Sequence, residues 1–375
     1  MSEVTRANRP KKNTRLLYFS LVLFLIGVVV SYHHALVLPA LDRYTDDETF
    51  SHIANIHDHT EYQKSVFGLA ENADSDLSTT NVAGIASVYL LLSFILGIED
   101  VVSISMGVNI FAIFCAAYFH VKICELCGMH KAYKYAFFLN LPLVYFSQLI
   151  GKDALYVALL YAVLFNYLRG NGKIILLCIV LGMMIRVQVL LLLIFALIAH
   201  IKFVGVKARL ILLYVLSSLI GAFAFVKPGV LGDGADLGEG MTALVHTLNS
   251  VTYLGNFLLN PARFVQYIGE FGFFSLSAVV NPENFFQLFL VPFFIFFVLK
   301  IAKFRKLFDF SENPLARFFM LNLFLLLIVP IVNLRYFVVL LPFAVLAIGY
   351  RSNSAIGHRS FSEFFPPTKA MRRAA

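Results

Sequence analysis

Long apolar runs separated by short polar joints set the plan of this chain. They predict membrane-crossing helices near 16–36, 101–121, 132–150, 154–168, 174–185, 187–201, 209–226, 284–301, 316–333 and 335–350. A helix needs about 20 apolar residues to cross the hydrocarbon core, and shorter ones need a thinned bilayer or snorkelling side chains. The run at 174–185 is the shortest and so the weakest of the ten. Basic residues precede the first run and no small-residue cleavage site follows it. It reads as a retained span and not as a signal peptide.

The distribution of charge tests this plan. Ten spans with both ends cytoplasmic put 23 of the 30 Lys and Arg residues inside and 7 outside. That obeys the rule that basic residues stay on the cytoplasmic side. Val82–Ile98 is also apolar and long. If it crossed, every later loop would change side, leaving 10 basic residues inside and 20 outside. It is therefore expected to lie along the outer surface as an interfacial helix. The acids agree, with 17 of 22 outside. The expected fold is an all-α multi-pass membrane domain over 1–350, with outer loops at 40–100 and 227–283. A cytoplasmic tail over 351–375 follows, and anionic lipid would hold both basic ends.

Composition fits the same class. The chain is 59% hydrophobic and 14% charged, against about 25% charged in soluble domains. The net charge of +8 belongs to the cytoplasmic loops, so no nucleic-acid partner is expected. Cys124 and Cys127 form a lone CxxC without a second pair, which reads as two small residues at a helix end.

Candidate chemistry gathers on the outer side. The stretch YTDDETF places Asp46, Asp47 and Glu48 just after the first span. Lys152 and Asp153 begin the fourth span, Arg186 joins the fifth to the sixth, and Arg335 and Tyr336 begin the tenth. One cation at a span end is usually a snorkelling anchor. Three with an aspartate on one rim, opposite an acidic triplet, suit an anionic group and a carboxylate base. Arg grips phosphate in a bidentate way and Lys acts as a point charge. Membrane-depth charges usually face a cavity or a partner. His57 and His59 could join Asp46 or Asp47 on a divalent cation, but their spacing matches no strong metal motif. A polar interfacial helix explains them as well, so no metal or cofactor is assigned. Asp233, Asp236 and Glu239 lie in a Gly-rich acidic loop without the spacing of a calcium site.

This order of features resembles the GT-C superfamily of membrane glycosyltransferases. Asp46-Asp47-Glu48 follows the first span, a helix over 85–98 ends in a glycine, and Asp153 opens span four. Arg335-Tyr336 precedes Pro342 in the last span. No large soluble C-terminal domain follows, unlike oligosaccharyltransferase catalytic subunits. The chain is similar also to Wzy and EpsG polysaccharide polymerases, which are Phe-rich, multi-span and carry scattered outer arginines.

The resemblance implies a sugar donor on polyprenyl phosphate or diphosphate and a glycan or lipid acceptor. It further implies a bacterial inner membrane with the active site on the outer face. Asp46 or Asp47 would be the base, since repulsion between adjacent carboxylates raises one pKa. Glu48, Lys152, Asp153, Arg186, Arg335 and Tyr336 would bind substrate. A transporter or flippase is the alternative from another class; its charges are expected near the bilayer midplane, often on broken helices.

Overall fold

The computed structural model describes residues 12–43, 80–98, 100–186, 189–201, 204–226, 241–280, 285–329 and 334–350. Among these residues every element is helical and no strand occurs. In chain order they are α1 (Lys12–Tyr32), a single π turn (His33–Val37), α2 (Leu38–Arg43), α3 (Thr80–Leu96) and α4 (Val101–Leu126). Next come α5 (Ala132–Tyr135), a 3-10 turn (Ala136–Leu139), α6 (Pro142–Phe146), α7 (Asp153–Arg169), α8 (Gly172–Met183) and α9 (Val189–Ala199). Then follow α10 (Val206–Val226), α11 (Met241–Thr252), α12 (Gly255–Val280), α13 (Phe285–Leu299) and a longer 3-10 helix (Ile301–Phe308). The chain closes with α14 (Pro314–Ile328), α15 (Leu334–Val338) and α16 (Leu341–Gly349).

Three stretches are long and apolar enough to cross a membrane: Val22–Ala40, Val101–Leu126 and Val206–Phe223. Taken together as one span, α12 and α13 would make a fourth. Gly172–Met183, Val189–Ala199, Pro314–Ile328 and Leu334–Gly349 are apolar but shorter. The chain has the architecture of a membrane protein.

The centre is built on α16, whose residues are all buried. Phe343 of this helix meets Tyr161 of α7 (4.8 Å between ring centroids) and Phe318 of α14 (5.4 Å). The most extensive packing pairs α4 with α7, where His120 Nδ1 lies 3.0 Å from the Tyr161 hydroxyl. Outer helices keep exposed apolar faces: Phe19 and Phe24 on α1, Leu177 on α8, Phe223 on α10. An aqueous solvent would penalise such faces, whereas lipid does not.

Two expectations need revision. The run 132–150 is not one continuous helix but two short helices around a 3-10 turn, followed by coil from Ser147 to Lys152. Asn140 turns its amide onto its own backbone, donating to Phe137 O (3.0 Å), and Pro142 starts a new helix at its first turn. Likewise the run 335–350 is split, with a turn at Val339–Leu340 before Pro342. The segment 227–283, expected as a part-helical outer loop, contains α12, a helix of 26 residues with a buried stripe against its neighbours. The periodic polar residues of that stripe lower its average hydropathy without ending the helix.

Candidate functional site

Two helix junctions meet at one place, the coil before α7 and the junction between α14 and α15. The first is the coil Ser147–Lys152. Ser147, Gln148, Leu149 and Ile150 are all buried, so their backbone groups need protein partners. Asn109 Nδ2 donates to Ser147 O (3.1 Å) and Leu149 O (3.2 Å). Ser105, one turn earlier on α4, donates to Leu149 O (3.0 Å), and the Tyr89 hydroxyl of α3 donates to Gly151 O (3.0 Å). Polar positions on α3 and α4 thus hold an irregular backbone inside an apolar bundle.

This coil delivers Asp153 as the first residue of α7, after Lys152 as N-cap. Asp153 is 1% exposed. Its Oδ1 accepts from Arg186 Nη2 at 2.8 Å. Its Oδ2 accepts from Arg335 Nε at 2.7 Å and from Arg335 Nη2. Arg186 follows α8 and lies between two rings, Tyr156 (4.5 Å) and Tyr336 (4.8 Å). Arg335 lies over Phe146 at 5.4 Å. These rings attract the cations and exclude water around them. Gly84 of α3 closes the side of the site, since a Cβ there would stand 2.2 Å from Met184 O.

The balance of charge is informative. Among the described residues two guanidiniums share one carboxylate, which leaves one positive charge over there. Arg186 Nε is buried with no hydrogen-bond partner among the described residues. The N-terminus of α7 adds the positive end of its helix dipole. The cluster can therefore still take an anionic acceptor.

Of the residues singled out in the sequence, Asp153, Arg186, Arg335 and Tyr336 come together directly, and Lys152 adjoins them. Asp46, Asp47, Glu48, His57 and His59 lie outside the described residues, as do Asp233, Asp236 and Glu239. Among the described residues no three His, Cys, Asp or Glu side chains converge as a metal site. Cys124 and Cys127 are free and buried. Burial pushes the Cys127 thiol up to about 12.

Sequence reasoning missed a second polar cluster, at the other break. Arg263, expected in an outer loop, is fully buried on α12. Its Nη1 donates to Asn260 Oδ1 (2.5 Å) and Leu327 O (3.3 Å), and its Nη2 to Val329 O. Asn256 Nδ2 donates to Leu327 O and Ile328 O, both at 3.3 Å. The signal was present as Asn256, Asn260, Arg263 and Tyr267, spaced at helical period along one face. No protein-family model, curated protein or solved structure matches this chain.

Proposed function

We propose that this chain is a membrane glycosyltransferase that moves a sugar from a polyprenyl-phosphate or -diphosphate donor to an envelope glycan or lipid acceptor. The observation that carries this reading is the Asp153–Arg186–Arg335 cluster, with its surplus positive charge and the unpartnered Nε of Arg186. Breaking the sugar C–O bond leaves negative charge on phosphate, and fixed guanidiniums stabilise that charge where it develops. Asp153 touches both arginines and orients them. A base must take the acceptor hydroxyl proton; Asp46 or Asp47 is assigned that role on the sequence resemblance.

A lipid tail also has a place to lie. A surface groove of about 570 Å³ runs between α1 and α13, with Leu23, Phe24, Val28, Phe285 and Phe289 among its walls. From its end at Tyr32 and Phe285 (5.4 Å), the neighbouring Phe286 leads to Phe146 (5.3 Å). Phe146 in turn carries Arg335. An isoprenoid chain in the groove would bring its phosphate towards the cluster.

A polymerase that joins lipid-linked repeat units has the same needs and is the nearest alternative. A transporter is the second reading, favoured by one specific observation: the coil Ser147–Lys152 interrupts an apolar run at the charge cluster, and discontinuous helices often build transport sites. A gel of surface polysaccharide separates the three. Cells lacking the chain are complemented with wild type, Arg335→Ala, Asp46→Asn or Asp47→Asn. A ladder collapsed to one repeat marks a polymerase, and a glycan missing one sugar marks a single-sugar transferase. An unchanged glycan in cells lacking the chain ends the envelope-glycan reading and leaves transport. If Asp46→Asn and Asp47→Asn both keep full activity, the base lies elsewhere.

A further inference from the structure

The opposite end of the bundle carries a surface that the charge cluster does not use. It lies about 25 Å from Asp153, the length of α7. Here α13 turns into the 3-10 helix Ile301–Phe308. A 3-10 helix has three residues per turn, so every third side chain shares a face. One column, Ile301, Phe304 and Leu307, turns progressively into the core. The column Ala302, Arg305 and Phe308 is exposed along its whole length. Lys303 is exposed on the third face, and Lys306 donates to Tyr350 O (2.7 Å).

Apolar and cationic groups are interleaved here. Leu299 is 74% exposed, Ile301 67% and Phe308 57%, while Lys300, Lys303 and Arg305 have no carboxylate partner among the described residues. Tyr133 meets Phe296 at 6.3 Å and so brings the exposed Lys131 alongside. Among the described residues the nearby carboxylates are Glu125, Asp309 and the exposed Glu312. Glu125 already holds Lys122 (3.0 Å) and Lys134 (3.2 Å). Asp309 accepts the backbone N–H of Glu312 (3.1 Å). Positive charge is left over, next to apolar side chains that project beyond the bundle.

We propose that the 3-10 helix Ile301–Phe308 is a docking surface for anionic phospholipid headgroups. Leu299, Ile301 and Phe308 enter the interfacial layer while Lys303 and Arg305 meet the phosphates. Mixed apolar and cationic exposure is what an interfacial element needs. A protein partner would need a flat apolar patch without isolated cations through its middle. This surface follows from the membrane architecture and is independent of the sugar chemistry.

The chain contains no Trp, so Phe308→Trp places a single fluorophore on this face. The full chain is reconstituted in nanodiscs of phosphatidylcholine alone and of equal parts phosphatidylcholine and phosphatidylglycerol. The expected result is bluer emission and stronger quenching by brominated acyl chains in the anionic discs, reversed by high salt. Adding Lys303→Gln and Arg305→Gln should remove the lipid dependence. Native mass spectrometry of the chain with Phe308 intact gives a second measurement. There, phosphatidylglycerol should bind about thirtyfold more weakly to Lys303→Gln/Arg305→Gln, each charge contributing about fivefold. Equal emission in both discs overturns the proposal, as does equal lipid retention by the double variant. An emission shift that follows protein concentration instead of lipid also overturns it and points to a second copy of the chain.

Discussion

Arg335 and Arg263 stand on either side of the same interruption, between α14 and α15, and their charges are balanced differently. Arg335 is paired with the carboxylate of Asp153 and keeps 13% of its side chain exposed. Arg263 is fully buried and meets neutral acceptors, Asn260 Oδ1 and the carbonyls of Leu327 and Val329. Those carbonyls sit at the end of α14, where the last turn leaves acceptors free and the dipole is negative. Arg263 is therefore a helix cap. The same face of α12 continues past the break, where Tyr267 stacks on Phe337 (5.8 Å, planes at 16°). One helix thus grips both sides of the interruption that presents Arg335. A cation matched by fixed backbone dipoles serves the fold, whereas a partly exposed cation pair on one carboxylate has charge to spare for a ligand.

Arg263→Ala tests the first half of that contrast and should have the largest effect. It removes three donor contacts at once and leaves buried acceptors unpaired. Loss of one partner from a buried charged network costs about 3–5 kcal/mol. Thermal unfolding in detergent should show a large drop or no folded protein at all. An unchanged unfolding temperature would refute the capping role.

Asp153→Asn comes next. It leaves two guanidiniums facing each other, and a cost of about 3 kcal/mol is expected, reduced because both arginines reach solvent. Replacing the whole cluster should behave differently. Asp153→Leu with Arg186→Met and Arg335→Met should restore most of the stability, since apolar groups can substitute for a buried ion network, and still abolish glycan synthesis in cells. If the triple variant unfolds as readily as Arg263→Ala, the two clusters are alike and the contrast fails.

What the sequence made legible follows the same division. Lys152, Asp153, Arg186, Arg335 and Tyr336 could be found because they stand at the edges of apolar runs, where a charge is conspicuous. Their convergence depends on two irregular segments, and hydropathy averaging smooths over Asn140, Ser147 and the turn at Val339–Leu340. Arg263 was hidden for a related reason. Its helix carries enough buried Asn to read as a polar loop, although Asn256, Asn260, Arg263 and Tyr267 recur at helical spacing. Which acceptors would satisfy them is a tertiary matter that no local pattern encodes. Helix lengths were overestimated wherever two short helices share one apolar run.

A smaller perturbation reaches the cluster through packing alone. Gly84→Ala puts a methyl group 2.2 Å from Met184 O, a fixed backbone atom two residues before Arg186. Overpacking of this kind costs about 1–3 kcal/mol. The contrast predicts that glycan output falls further than stability does, because the displaced turn carries Arg186. An equal change at Gly269, where nothing lies within 4 Å of an added Cβ, should leave both unaltered. If Gly84→Ala matches Gly269→Ala in the glycan gel, the turn is not set by α3.

Asp100 offers the mildest test, because it is a second aspartate at a helix N-terminus but has no arginine. It caps α4, with Oδ1 accepting from Val102 N (3.0 Å) and Oδ2 from the Ser103 hydroxyl (2.5 Å). The Ser103 hydroxyl, and then the backbone N–H groups of Ser103 and Val102, hold its carboxyl below the usual range. A lowered folded-state pKa stabilises the protein above the unfolded value, about 3.9, and that contribution is lost as pH falls through the folded value. Asp100→Ala should cost about 1 kcal/mol at neutral pH, as cap deletions do. The difference from wild type should begin to shrink below about pH 4 and disappear once pH has fallen through the lowered folded value, where the wild-type cap is itself protonated. Since Asp100 holds only its own helix, glycan output should stay at the wild-type level in proportion to folded protein. A specific loss of output would mean that any aspartate at this end of the bundle supports the reaction, and the distinction drawn from Asp153 would no longer stand on its arginines.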